Sequence, residues 1–244
     1  MKSKITAYKP YGDPAILVEW EKKIDRNILM DILSLKAEIQ NSNIKQIIEL
    51  KHTYNSLIIS YDSKIINLNH EIAYIDKIYN NTKKQVKKTS KLWKIPVCYE
   101  AEFGIDLDVL ARSKNRSKQA VIKTHTAAPY LVYFIGFLPG FLYLGGLPEE
   151  LHMARKSAPE LKVPKGAVAI GGNQTGVYPI ESPGGWHIIG NTPVNFFDVE
   201  KDRPCFAEPG DQVMFVPVDK KKYHDVKILV ESGVYELESE VIHG

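Results

Sequence analysis

The stretch Val163-Pro164-Lys165-Gly166-Ala167-Val168-Ala169-Ile170-Gly171-Gly172-Asn173-Gln174-Thr175-Gly176-Val177-Tyr178-Pro179 decides the fold of the larger part of this chain. It holds a strand-like apolar run, Val168–Gly171, bounded by glycine and proline turns. The same grammar repeats outward in both directions. Trp93–Tyr99, Tyr130–Phe137, Trp186–Ile189, Val194–Phe197 and Val213–Val218 are further short β-like segments, and only two short helices, near Asp106–Arg112 and Ser117–His125, interrupt them. Ser117 stands where an N-cap belongs. Many short strands at fairly regular spacing predict a closed or nearly closed β-barrel. After it, Val226–Val230 and Val234–Leu237 around Ser232-Gly233 predict a β-hairpin extension.

Before residue 92 the chain has one of its 16 glycines and two of its 14 prolines, so a fold with different turn demands precedes the barrel. Ile5–Lys9 and Ala15–Glu19 read as strands around a Tyr11-Gly12-Asp13-Pro14 turn. Ile24, Ile28, Leu29, Ile32, Leu33 and Ile39 recur at helical spacing. Ile44–Leu50 and Leu57–Tyr61 are strand-like again, and Ile65, Leu68, Ile72, Ile75 and Tyr79 mark a second amphipathic helix. Strands interleaved with two helices predict a small α+β domain of ferredoxin-like type over residues 1–84. The cationic stretch with Lys83, Lys84, Lys87, Lys88 and Lys91 reads as a solvated linker, placed at 85–91, with the barrel domain over 92–244.

Composition narrows the partners. With 44% hydrophobic and 25% charged residues the 244-residue chain lies outside the disordered range. A net charge of +3 is too mild to mark a nucleic-acid or membrane-surface binder. Two cysteines, Cys98 and Cys205, allow no disulfide framework and read as small buried apolar residues. Together with a basic start that lacks an apolar run, they lead us to expect a cytoplasmic protein. Ala127–Leu147 is free of charge and long enough to span a bilayer, but its prolines and glycines read as a buried strand running into a turn-rich loop, so no membrane span is expected. Gly171-Gly172-Asn173-Gln174-Thr175-Gly176 is followed by Val177 where a P-loop needs lysine, and zinc-peptidase, α/β-hydrolase and EF-hand spacings are absent. No metal site is expected.

Three glycine-rich loops remain: Gly136–Gly146, Gln174–Pro179 and Ser182–Trp186. Their backbone freedom suits close approach to a ligand, and their aromatic bulk suits a pocket or an interface. The motifs Gly136-Phe-Leu-Pro-Gly-Phe-Leu-Tyr-Leu-Gly-Gly, Val163-Pro-Lys-Gly-Ala-Val-Ala-Ile-Gly-Gly, Gln174-Thr-Gly-Val-Tyr-Pro, Ser182-Pro-Gly-Gly-Trp and Pro209-Gly-Asp closely resemble the family of the 5-oxoprolinase B subunit, also called the allophanate hydrolase subunit 1 or KipI family. The resemblance runs from Ile95 to Pro217, and residues before it resemble the family in layout only.

The resemblance implies a cyclophilin-like barrel after the ferredoxin-like domain. It implies a role as the B subunit of a 5-oxoprolinase complex, with ATP as co-substrate and the C and A subunits as partners, opening 5-oxo-L-proline to glutamate and inactive alone. The alternative it carries is a KipI-type binding inhibitor of a sensor histidine kinase. His125 matches the family's histidine and suits a proton carrier. Arg155, with Lys156 beside it, matches a basic pair that suits a carboxylate or phosphate. Gln174, Tyr178 and Ser182 are placed to hydrogen-bond a substrate, and His152 and His187 are weaker candidates. Four positions depart from the family: Glu100-Ala101 where a Gly-Gly pair is usual, Ile105 where proline is common, and Glu160 where an arginine is common.

Overall fold

Two strands, β1 (Ile5–Pro10) and β2 (Ala15–Trp20), pair antiparallel near the start of the computed structural model, which describes residues 3–12, 14–42, 44–62, 67–82 and 89–243. Along β2 the alternation of side chains buries Ile16, Val18 and Trp20 on one face. Asp25 then caps α1 (Arg26–Asn41), its carboxylate accepting from the N–H groups of Asn27 and Ile28 at 2.8 and 3.3 Å. Ile28, Leu29, Ile32, Leu35 and Ile39 fall on the buried stripe of that helix, each worth about 1.5–3 kcal/mol of burial. β3 (Ile47–His52), β4 (Ser56–Tyr61) and α2 (Leu68–Asn81), capped by Asn67, complete the unit.

The sheet order is β1-β2-β4-β3, antiparallel throughout, so β4 inserts between the two strands that α1 connects. Both helices pack in one core with Trp20, Leu57, Ile59 and Tyr61. Strand and helix alternate as the sequence periods suggest, but Ile24 lies before the cap of α1 and is exposed, and β3 begins at Ile47, three residues after the expected start. Asp13, Ile65 and the lysines at 83, 84, 87 and 88 lie outside the described residues, and so does most of the expected linker.

The chain divides into two compact units, 1–88 and 89–244. The second opens with β5 (Thr89–Cys98), so Thr89–Lys91, expected in the linker, are already strand. α3 (Leu107–Ser113) and α4 (Lys118–Thr126) follow, the latter capped by the Ser117 hydroxyl, which accepts from Ala120 N–H at 3.2 Å. The strands are then β6 (Tyr130–Ile135), β7 (Leu142–Gly145), β8 (Glu160–Val163), β9 (Ala167–Gly171), β10 (Gln174–Val177), β11 (Ser182–Gly184), β12 (His187–Asn191) and β13 (Gln212–Val218). The chain continues through α5 (Lys220–Glu231) to β14 (Ser239–His243).

The main sheet runs β10-β9-β12-β5-β13-β6-β7, with β14 also on β5. Its two ends meet: a Cβ on Gly176 of β10 would stand 3.5 Å from the carbonyl oxygen of Leu142 in β7. This is a nearly closed barrel filled by Ile95, Val97, Val132, Val168, Ile170, Val213 and Phe215. β8 and β11 form a separate two-stranded ribbon.

Two expectations are corrected. The C-terminal hairpin is instead the helix α5 followed by β14. Asp219 caps α5, accepting from Lys222 N–H at 2.7 Å, and Tyr223 and Val226 are buried three residues apart, whereas Ile228 and Leu229, which read as strand, are exposed. Val194–Phe197 alternates in burial as a strand would but lies outside every strand of the sheets.

Candidate functional site

The three glycine-rich segments, expected as loops but containing the strands β7, β10 and β11, converge on a pocket of 140 Å³ at one face of the barrel, lined by Phe137, Phe141, Tyr143, Arg155, Tyr178, Pro183, Gly184, Gly185 and Trp186. Glycine makes its walls possible. A Cβ at Gly171 would lie 2.3 Å from Cδ1 of Trp186, so the indole lies flat where that side chain would be. A Cβ at Gly184 would lie 2.3 Å from the Tyr178 hydroxyl oxygen. Phe141 packs edge-on to Tyr143, Tyr178 and Trp186 with ring centroids 5.1, 5.8 and 5.7 Å apart, so the floor is a dry aromatic cluster.

Arg155 provides the positive charge of this pocket. Its guanidinium carbon lies 5.8 Å from the centre of the Trp186 ring, its side chain is exposed, and among the described residues it has no carboxylate partner. Its backbone is pinned on both sides. The ring Nε2 of His187 lies 3.0 Å from the Ala154 carbonyl oxygen, and Lys156 N–H donates to the Gly185 carbonyl at 2.7 Å. Lys156 itself is neutralised by Asp106 at 2.7 Å and Glu160 at 3.2 Å; burial works against its charge, but these carboxylates outweigh it and raise its pKa. Asp106 also accepts from Ile188 N–H at 2.8 Å, which ties the pair to β12. Glu160 thus stands as a counter-ion to Lys156. Burial raises the Tyr178 phenol above its ordinary value, against the opposing pull of a Trp186 backbone hydrogen bond and the Arg155 charge. A guanidinium over an aromatic floor, with no carboxylate partner among the described residues, is suited to binding a small anion.

A pattern for the carboxyltransferase domain, subdomain C and D, matches residues 6–207 of the chain. Over 88% of its length the chain is 34% identical to the 5-oxoprolinase B subunit of Bacillus subtilis strain 168, covering 94% of that protein. The chain belongs to the 5-oxoprolinase B-subunit family. It is also 49% identical to the 5-oxoprolinase B subunit of Escherichia coli O157:H7 over 128 residues, 52% of this chain and 59% of the relative. Among solved structures, TTHA0988 superposes with a TM-score of 0.73 at 28% identity over 84% of this chain, which spans 40% of the TTHA0988 chain.

For a member of the B-subunit family, the sequence-derived site residues separate into two groups. Arg155 and Tyr178 line the pocket together. Ser182 is buried beside it with its hydroxyl 3.4 Å from the Pro183 carbonyl oxygen, and Gln174 starts β10; neither lines the pocket. His152 bonds the Leu147 carbonyl oxygen through Nε2 at 3.0 Å. Cys98 is buried and Cys205 half-buried.

His125, expected as a proton carrier, is corrected by its surroundings. It is wholly inaccessible, stacks on Phe215 with centroids 4.7 Å apart, and has both ring nitrogens occupied. The Thr175 hydroxyl donates to the Ala169 carbonyl at 3.1 Å, so its oxygen accepts from His125 Nε2–H at 2.8 Å, and Nδ1 accepts from the Tyr99 hydroxyl at 2.9 Å. Burial lowers its pKa to about 3. The imidazole is a neutral core bracket joining α4 to β9 and β10.

Sequence reasoning passes over Asp106 as the partner of Lys156. The one legible signal is an acid just ahead of α3, and on its own that reads as no more than a helix start.

Proposed function

We propose that this chain is the B subunit of an ATP-dependent 5-oxoprolinase that opens 5-oxo-L-proline to L-glutamate together with the A and C subunits. The observation that carries this reading is the 34% identity to the Bacillus subtilis B subunit over 94% of that protein. The named relatives favour it over the kinase-inhibitor alternative. We read the first unit as ferredoxin-like, the barrel as cyclophilin-like, and the protein as cytoplasmic; among the described residues no helix is long and apolar enough to cross a membrane.

The pocket's chemistry agrees with a small cyclic acid. Arg155 pairs with the substrate carboxylate, the aromatic walls pack on the five-membered ring and exclude water, and the Tyr178 hydroxyl, kept protonated by burial, offers a hydrogen bond. A lactam is a poor electrophile because its nitrogen lone pair is delocalised, and ATP supplies the activation by phosphorylating the amide oxygen. At 140 Å³ the pocket matches a ring of this size, and no step of ATP chemistry is assigned to it. Ser182 and Gln174 act, in this reading, through the strands β11 and β10 that lead into the pocket walls.

The test is reconstitution with the A and C subunits, following glutamate release with and without ATP. Turnover is expected only from the full mixture; steady turnover by the isolated chain would end the multi-subunit reading. Arg155→Ala is expected to raise KM for 5-oxo-L-proline about tenfold to a hundredfold, the cost of one charged hydrogen-bonded contact. An unchanged KM would remove the substrate from this pocket.

A further inference from the structure

Phe137 is held in a backbone conformation that few aromatic residues adopt. Its φ is 63°, and the other non-glycine residue with a positive φ among those described is Asn115, a type that tolerates it. The local hydrogen bonds enforce the shape. Leu138 N–H donates to the Gly136 carbonyl at 2.7 Å, making a three-residue turn centred on Phe137, and Gly136 N–H donates to the Phe141 carbonyl at 3.1 Å to close the loop. A glycine stands next to the strained position, yet the bulky residue occupies it. Nor does burial compensate: the Phe137 side chain is 65% exposed. Its ring stands perpendicular to Phe141 at 5.6 Å and borders the Arg155 pocket. Backbone strain clusters at ligand-binding sites, and here it displays an apolar ring at the rim of a pocket.

We propose that Phe137 is a substrate-covering residue, whose ring supplies the open apolar wall of the pocket and lies against the ring of a small cyclic amide held through its carboxylate by Arg155. The inference rests on the 5-oxoprolinase reading. A small ligand is favoured over a docked protein because the ring borders a cavity of only 140 Å³ that is also lined by the Arg155 cation.

The experiment uses the reconstituted complex with Phe137→Gly, Phe137→Ala and Phe137→Tyr, and Arg155→Ala as the control. Glycine keeps the turn and removes the ring, so a rise in KM there reports the ring and not loop collapse. The expected result is a KM for 5-oxo-L-proline raised about threefold to tenfold in the glycine and alanine variants, the worth of an aromatic contact, with the tyrosine variant near wild type. The free glycine variant should melt at or above the alanine variant, because only glycine relieves the φ. A normal KM in Phe137→Gly alongside a raised KM in Arg155→Ala overturns this inference and leaves the pocket reading standing; normal KM in both overturns the two together. If Phe137→Gly instead weakens co-sedimentation with the C subunit while KM at saturating C subunit is unchanged, the ring is a docking anchor and the proposal fails. A glycine variant melting below the alanine variant would refute the strain argument itself.

Discussion

A histidine whose two nitrogens already face neutral partners in a closed core gains a proton only by reversing one of those contacts and burying a charge, and His125 is such a residue. Protonation would turn the Tyr99 hydroxyl from donor to acceptor and leave a buried charge stacked on Phe215. Its folded pKa of about 3 lies below the ordinary value near 6.5 of the unfolded chain. Between those limits the unfolded chain binds a proton that the folded one refuses, so stability is complete above about pH 6.5 and is lost as pH falls, by about 1.4 kcal/mol per pH step. Urea midpoints measured from pH 7 to pH 4 should therefore drop more steeply in the wild type than in His125→Gln. Equal slopes would clear this histidine of the effect. The sequence singles out His125 by residue type and by its place in a resembling motif, but its burial is created by Tyr99, Thr175 and Phe215, which come from three distant segments. Arg155 and Tyr178 are legible as candidates because a basic side chain and an aromatic next to a glycine-containing strand are local properties, and both line the pocket.

Among the elements, the loop before β13 holds more than its length suggests. The buried carboxylate of Asp211 accepts from Lys91 N–H at 2.9 Å, from Trp93 Nε1–H at 3.0 Å and from Glu208 N–H at 3.0 Å, clamping that loop to β5. Removing it strands three donors, two of them backbone. Asp211→Ala should cost about 3 kcal/mol or more, read as the shift in chemical denaturation. A loss under about 1 kcal/mol would show that water replaces the carboxylate. The motif Pro209-Gly-Asp is visible in the sequence, but its partner Lys91, 120 residues away, is not. The reverse failure occurs at α5, where Val226–Val230 reads as a strand by composition. There the Asp219 cap and the spacing of Tyr223 and Val226 prevail, leaving Ile228 and Leu229 outside.

For the whole molecule, the two units keep separate cores: Trp20, Leu57 and Ile75 belong to one, Ile95, Val168 and Phe215 to the other. Each pattern is readable because glycine and proline change frequency where the units divide. A chain of residues 89–244 should accordingly fold alone with a single cooperative unfolding transition; a broad, probe-dependent transition would show that the barrel needs the first unit.

The position of β5 has a further meaning in time. It opens the second unit, but its neighbours β12, β13 and β14 are the last strands in chain order, and β14 covers its first residues, Thr89 to Trp93. On a ribosome, residues 1–88 can settle through their own local pairings while β5 emerges and waits, its edges bare, until its late-made neighbours have been synthesised. The strand at the centre of the finished barrel is thus the one most in need of protection during its making, and a chaperone working on the nascent chain would find its longest-lived target there.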